Sequence, residues 1–258
     1  MIDLKIIERH EQFWHKFVLT IPFAEEVKGA VLTCYPELPA FHFNHAASIN
    51  VKDEETENLL KMVTKYFQAR GSTDVCFRTS PITRPRTFIS FLENNGFERK
   101  LEESVMVFKG KHLKDKLNPE IKIEEISERE IDVYAELFLT NFEMPTEWKK
   151  GIKRLALNWI QQGWKCYLAY FKEKPVGTCL LSSLGRTGGI FNVGTLKEYR
   201  RQGIGTTLTL RAIMDSIDEG NSLHTLETEK GGNAERLYEK IGFESDHTIS
   251  YFAKEIHG

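Results

Sequence analysis

Two arginines and two glycines stand close together in "EYRRQGIGTTL", residues 198–208, between an apolar stretch and one with helical spacing. Glycine carries no Cβ, so at Gly203 and Gly205 the main-chain amides can approach a ligand closely. A helix beginning just after them directs its unpaired N–H groups and its partial positive charge at the same point. Arg200 and Arg201 add full charges, and an anion, phosphate above all, suits such a corner. On these residues alone a tight structural turn is the other reading. Two phosphate loops are excluded. A dinucleotide fingerprint needs a third glycine where Leu208 stands, and a Walker loop needs Gly-Lys-Ser/Thr where Thr206 and Thr207 follow Gly205.

The surrounding pattern supplies the elements that must position this corner. "EIKIEEI" alternates outward charges with inward isoleucines and predicts a strand; Ser127 with Glu130 three residues later predicts a capped helix start. A second helix is expected through "TEWKKGIKRLALNWI". Then "KCYLAYF", "KPVGTCLLSSL" and "GGIFNVGTL", separated by turn residues, predict an antiparallel meander that leads into the corner. Beyond it, Ile204, Leu208, Ala212, Ile213 and Ile217 mark one face of a helix that stops at Gly220. "SLHTLETE" predicts a strand, "NAERLYEKI" a short helix closed by Gly242, and "FESDHTISYFAK" closing strands.

The first half is less legible. It offers a strand near "FHFNHAASINV", a helix "DEETENLLKMVTKYFQAR" ending at Gly71, a strand "DVCFRTS", and the segment "PRTFISFLENNGFERK". The polar, lysine-rich "GKHLKDKLNPEIK" predicts a junction near Leu117, hence domains at 1–117 and 118–258. The 258 residues can bury one large core or two modest ones. A formal charge of −2 spreads no basic field for nucleic acid, and no apolar run approaches a membrane span. Four scattered cysteines without CxxC spacing suggest reduced thiols and a cytoplasmic setting. His42 and His45, three apart on a strand, would not share a face, and no metal ligand set is expected.

R-x-x-G-x-G from Arg200 to Gly205, followed by L-Y-x-x-x-G-F from Leu237 to Phe243, resembles the GCN5-related N-acetyltransferase (GNAT) superfamily over roughly residues 119–254. The resemblance implies a mixed α/β fold, a mostly antiparallel central sheet flanked by helices, and acetyl-coenzyme A as acyl donor. It places the pyrophosphate on Arg200, Arg201, Gln202, Gly203, Ile204, Gly205 and Thr206, and the pantetheine arm along Val193, Gly194 and Thr195. It makes Tyr238 the general acid for the departing thiolate. Glu227, with Glu229 and His224 behind it, is the candidate base for the amine acceptor.

Departures are visible. Lys197 replaces a proline common after the fourth strand, and Gly231 stands where an asparagine is frequent, leaving open whether Asn233 substitutes. "FLENNGFERK" repeats the x-x-x-G-F ending, yet the link "KDEET" is acidic and lacks glycine, so carboxylates would repel a pyrophosphate. The first half is therefore expected to be a degenerate GNAT-like repeat that shapes the acceptor cleft; an unrelated α/β cap is the alternative. The function expected is direct acetyl transfer to a small-molecule or peptide amine in a ternary complex. A non-catalytic acyl-coenzyme A sensor is the rival. Neither the acceptor nor the oligomeric state is legible.

Overall fold

A computed structural model describes residues 4–111 and 117–256. These fall into two compact units, one formed by residues 1–104 with 246–258 and the other by 105–245. A linear division near Leu117 assigns the last strand differently, and much of the lysine-rich stretch around it lies outside the described residues.

The second unit begins within β5 (Glu98–Phe108) and continues through β6 (Ile121–Glu125), α4 (Ile131–Asn141), α5 (Lys149–Gln161), β7 (Lys165–Phe171), β8 (Lys174–Leu184) and β9 (Thr187–Thr195). α6 (Ile204–Asp218), β10 (Leu223–Glu229), α7 (Asn233–Ile241) and the start of β11 (Phe243–Glu255) complete it. Its strands lie in the order β5-β10-β9-β8-β7-β6. From β6 to β9 neighbours are antiparallel, while β9 and β10 run parallel across α6. Both hairpins turn on paired left-handed residues, Lys172–Glu173 and Gly185–Arg186, the backbone handedness that a two-residue hairpin requires. The capping box expected at Ser127 is present: Glu130 accepts from the Ser127 amide at 2.9 Å. One apolar cluster, with Tyr167, Leu181, Leu208, Ile213 and Phe243, fills the space between α6, α7 and the sheet.

In the first unit, α1 (Leu4–Leu19) buries Ile7, Phe13, Trp14, Phe17 and Val18 on one stripe against β2 (Ala30–Thr33). β1 (Glu25–Val27), β2, β3 (His45–Ala47), β4 (Asp74–Thr79) and the later part of β11 are successive neighbours. α2 (Thr56–Gln68) links β3 to β4, which are parallel, and α3 (Phe88–Asn94) leads into β5. Phe77 meets Phe88 edge-on at 5.4 Å in the centre of this unit's core. The strand expected in residues 41–51 shrinks to His45–Ala47. Asn44 caps the preceding turns instead, its Nδ2 donating to the Leu38 and Ala40 carbonyls at 2.6 and 2.9 Å. The closing strands expected after Gly242 are one 13-residue strand, β11.

Among the described residues no helix is long and apolar enough to cross a membrane. All four cysteines are free and buried.

Candidate active site

The meander delivers β9 into an irregular stretch. Register with β8 steps from Leu180↔Phe191 to Thr178↔Gly194, so two residues of β9, Asn192 and Val193, face Cys179 alone. This is a β-bulge, and Asn192 takes a left-handed φ of 56° within it. On the other side, pairing with β10 ends at Ile190↔Leu226. Phe191–Thr195 therefore have no register partner on β10, and Val193, Gly194 and Thr195 lie along a strand edge open to an extended ligand.

Side chains from α4 hold the bulge. Asn141 donates from Nδ2 to Thr178 Oγ1 at 3.3 Å, and Thr178 donates onward to the Asn192 carbonyl at 3.0 Å. Asn141 is 7% exposed, and its Oδ1 is enclosed with no hydrogen-bond partner among the described residues. Gly194 fits beneath it because it has no side chain.

The glycine corner follows a short 3-10 turn, Lys197–Tyr199. Arg201 and Gly203 both have positive φ, 66° and 84°, and Gly203 caps α6 in the left-handed region. The first bond of α6 runs from the Thr207 amide to the Gly203 carbonyl at 2.9 Å. The amides of Ile204, Gly205 and Thr206 precede that bond and make no hydrogen bond among the described residues. Arg200 folds back, donating from Nε to the Thr195 carbonyl at 3.2 Å and tying the corner to the end of β9. Gln202 donates weakly to the Glu198 carbonyl at 3.5 Å.

Sequence reasoning missed the residue that braces this corner. Asn118 donates from Nδ2 to the Gln202 carbonyl at 3.0 Å and from its amide to Thr207 Oγ1 at 3.2 Å, while its Oδ1 accepts from the Glu120 amide. In the sequence it marks only an Asn-Pro step, and nothing there points to a corner more than 80 residues away. Asn141 was equally silent, as the last residue of an ordinary amphipathic helix.

Tyr238 lies on the inner face of α7, 7% exposed, with its ring edge-on to Phe243 at 5.8 Å. Its hydroxyl has no hydrogen-bond partner among the described residues, and burial pushes its pKa well up, so the phenol stays protonated. Val193, Leu237 and Ile204 pack into the same apolar cluster as Tyr238, which brings together β9, the corner and the phenol. Glu227 is half-buried on β10, one residue beyond the last pair with β9. Glu229 is exposed two residues further on. His224 has the opposite strand parity, and its Nδ1 shares a 2.8 Å hydrogen bond with Ser216 on α6. Asn233 is exposed at the first position of α7.

Free amides at a helix start beside an open strand edge suit an extended, phosphate-bearing ligand. Residues 132–243, somewhat under half of the chain, match the sequence model of the acetyltransferase (GNAT) family. No curated protein matches the chain. Among solved structures, a GCN5-related N-acetyltransferase from Kribbella flavida superposes with a TM-score of 0.70 at 14% identity, over 97% of this chain and 95% of that one. A GCN5-related N-acetyltransferase from Sphaerobacter thermophilus gives 0.66 at 16% identity, over 94% and 85%. A tandem GNAT protein from the clavulanic acid biosynthesis pathway gives 0.60 at 12% identity, over 83% and 76%. At such identities the structural likeness is one of fold, and the family match marks the second unit as an acyltransferase domain.

Proposed function

We propose that this domain transfers an acetyl group from acetyl-coenzyme A to an amine, directly and within a ternary complex. The amides of Ile204, Gly205 and Thr206, with Gly203 and the nearby Arg200 and Arg201, hold the pyrophosphate. The open edge of Val193, Gly194 and Thr195 takes main-chain hydrogen bonds from the pantetheine arm, and an N–H there polarises the thioester carbonyl. The amine nitrogen attacks that carbon, its surplus proton passing to Glu227 directly or through water. As the C–S bond breaks, Tyr238 gives its proton to the leaving sulfur. No covalent enzyme intermediate is needed.

One observation carries this reading: the end of β9, paired with β8 but no longer with β10, runs straight into the start of α6, whose first amides are unpaired. Water can satisfy either end alone, but together they offer an extended ligand strand-like hydrogen bonds that lead into an anion-binding helix start. Isothermal titration with coenzyme A and acetyl-coenzyme A tests it, followed by thiol release with a panel of amines. Binding without release for any amine would favour the sensor reading; no binding would end both.

For the first unit we propose a degenerate repeat of the second. The order β1-β2-β3-α2-β4-α3-β5 parallels β7-β8-β9-α6-β10-α7-β11, each with one parallel pair across a helix. Before α2, however, stand Asp53, Glu54 and Glu55 in a 3-10 turn, three carboxylates where the second unit has its glycines. That link is closed to a pyrophosphate.

A further inference from the structure

The first unit contains a cluster with a different chemistry. His10 and Glu11 on α1 and His247 on β11 point donor atoms into one spot, all within 4.8 Å of one another. They are 1%, 6% and 7% exposed. The His247 Nδ1 lies 2.8 Å from Asp246 Oδ2, which fixes the ring and places its hydrogen on that nitrogen. The Nε2 lone pair is then directed away from Asp246, and this atom is enclosed with no hydrogen-bond partner among the described residues. An imidazole nitrogen buried so is destabilising unless something occupies it.

The chemistry of the cluster says what. A carboxylate that orients a histidine through the ring nitrogen opposite its ligand is the usual outer shell of a metal site. Two imidazoles and one carboxylate, with no thiolate, favour a transition-metal dication such as Zn²⁺ over Mg²⁺ or Ca²⁺, which take oxygen ligands. Zinc bonds of about 2.0–2.1 Å require donors roughly 3.3 Å apart, within a small rotamer adjustment of the spacing here. Charge agrees. Arg78 Nη1 lies 3.1 and 2.9 Å from the two Glu11 oxygens, so Glu11 and Asp246 against Arg78 leave one negative charge. Glu11 also lines a cavity of about 500 Å³ with Gln12, His15, Ser48 and Thr83, so the cluster meets open space on the Glu11 side.

We propose that His10, Glu11 and His247 form a site for one zinc-like dication in the first unit, with Asp246 as the orienting residue. The site is independent of the acyl-transfer reading, and its test needs no activity.

Chelator-treated full-length protein is titrated calorimetrically with ZnCl2 and CoCl2, with MgCl2 as control. One Zn²⁺ per chain is expected, with a rise in Tm and Co²⁺ absorption bands of a four-coordinate nitrogen site. His247→Gln should weaken binding by at least 100-fold and remove the Tm rise, Asp246→Asn by about 10–100-fold, and His15→Gln should change neither. Should His247→Gln fail to fold, ring ¹⁵N spectra of the wild-type protein decide, because Zn²⁺ must shift the Nε2 resonance of His247. No stoichiometric binding, equal binding by a folded His247→Gln protein, or an unmoved Nε2 resonance overturns the proposal.

Discussion

A Cβ added to Gly194 would lie 2.6 Å from the Cβ of Asn141, closer than real side chains approach. The last turn of α4 therefore rests directly on the backbone of the open strand edge, and the bulge is held from one side by a hydrogen-bond chain and from above by contact. Gly194→Ala should destabilise the protein by about 1–3 kcal/mol through overpacking. Asn141→Ala should not rescue it, since the contact is with Cβ, whereas Asn141→Gly should. Thermal unfolding of the single and double variants checks this, and full rescue by alanine would contradict it.

Tyr238→Phe keeps the ring against Phe243 and removes only the hydroxyl, which bonds to nothing among the described residues. Stability should hardly change, while kcat should fall by about 10²- to 10⁴-fold with KM for acetyl-coenzyme A little affected. Steady-state kinetics beside a melting curve separate the two effects. Unchanged kcat would assign the proton to another group.

Asn118→Ala removes the bond to the Gln202 carbonyl and leaves the corner held by Arg200 and the Thr207 contact. Losing one neutral hydrogen bond of about 0.5–1.5 kcal/mol should raise the KM for the acyl donor roughly 2- to 12-fold. The kcat should stay near its original value, because Asn118 positions the corner and touches no reacting atom. A large fall in kcat with constant KM would refute that role.

Stability should fall in alkali from about pH 9 upward. Burial raises the thiols of Cys76, Cys166 and Cys179, Cys166 to about 12, and raises the Tyr66 phenol to about 12. In the unfolded chain thiols release their protons near pH 8.5. The folded chain retains them, so between the unfolded and folded values the unfolded state binds fewer protons and gains. Each group contributes up to about 1.4 kcal/mol per pH unit in that window. Urea unfolding from pH 7 to 10.5 measures the slope, and Cys166→Ala should reduce it.

Much of the second unit was legible because its signals are local. The glycine corner, the capping box at Ser127 and the period of Ile204, Leu208 and Ile213 each lie within one or two turns of chain. The first unit resisted for a physical reason: β1 and β3 are three residues long, too short for alternation to register, and α1 carries buried His10 and Glu11 on its apolar face. The braces of the site were invisible for another reason. Asn118 and Asn141 depend on contacts across tens of residues, and the separate cluster of His10 with His247 on one across more than two hundred, where no pattern in the sequence repeats.

The last strand begins in one unit and finishes in the other, with Ser250–Glu255 pairing along β4. β11 is synthesised long after β4, so β4 lacks its neighbour on that side until residues 250–255 have been made. Cutting the gene at the middle would therefore yield a sticky fragment, and a soluble first half calls for circular permutation that carries residues 246–256 with it.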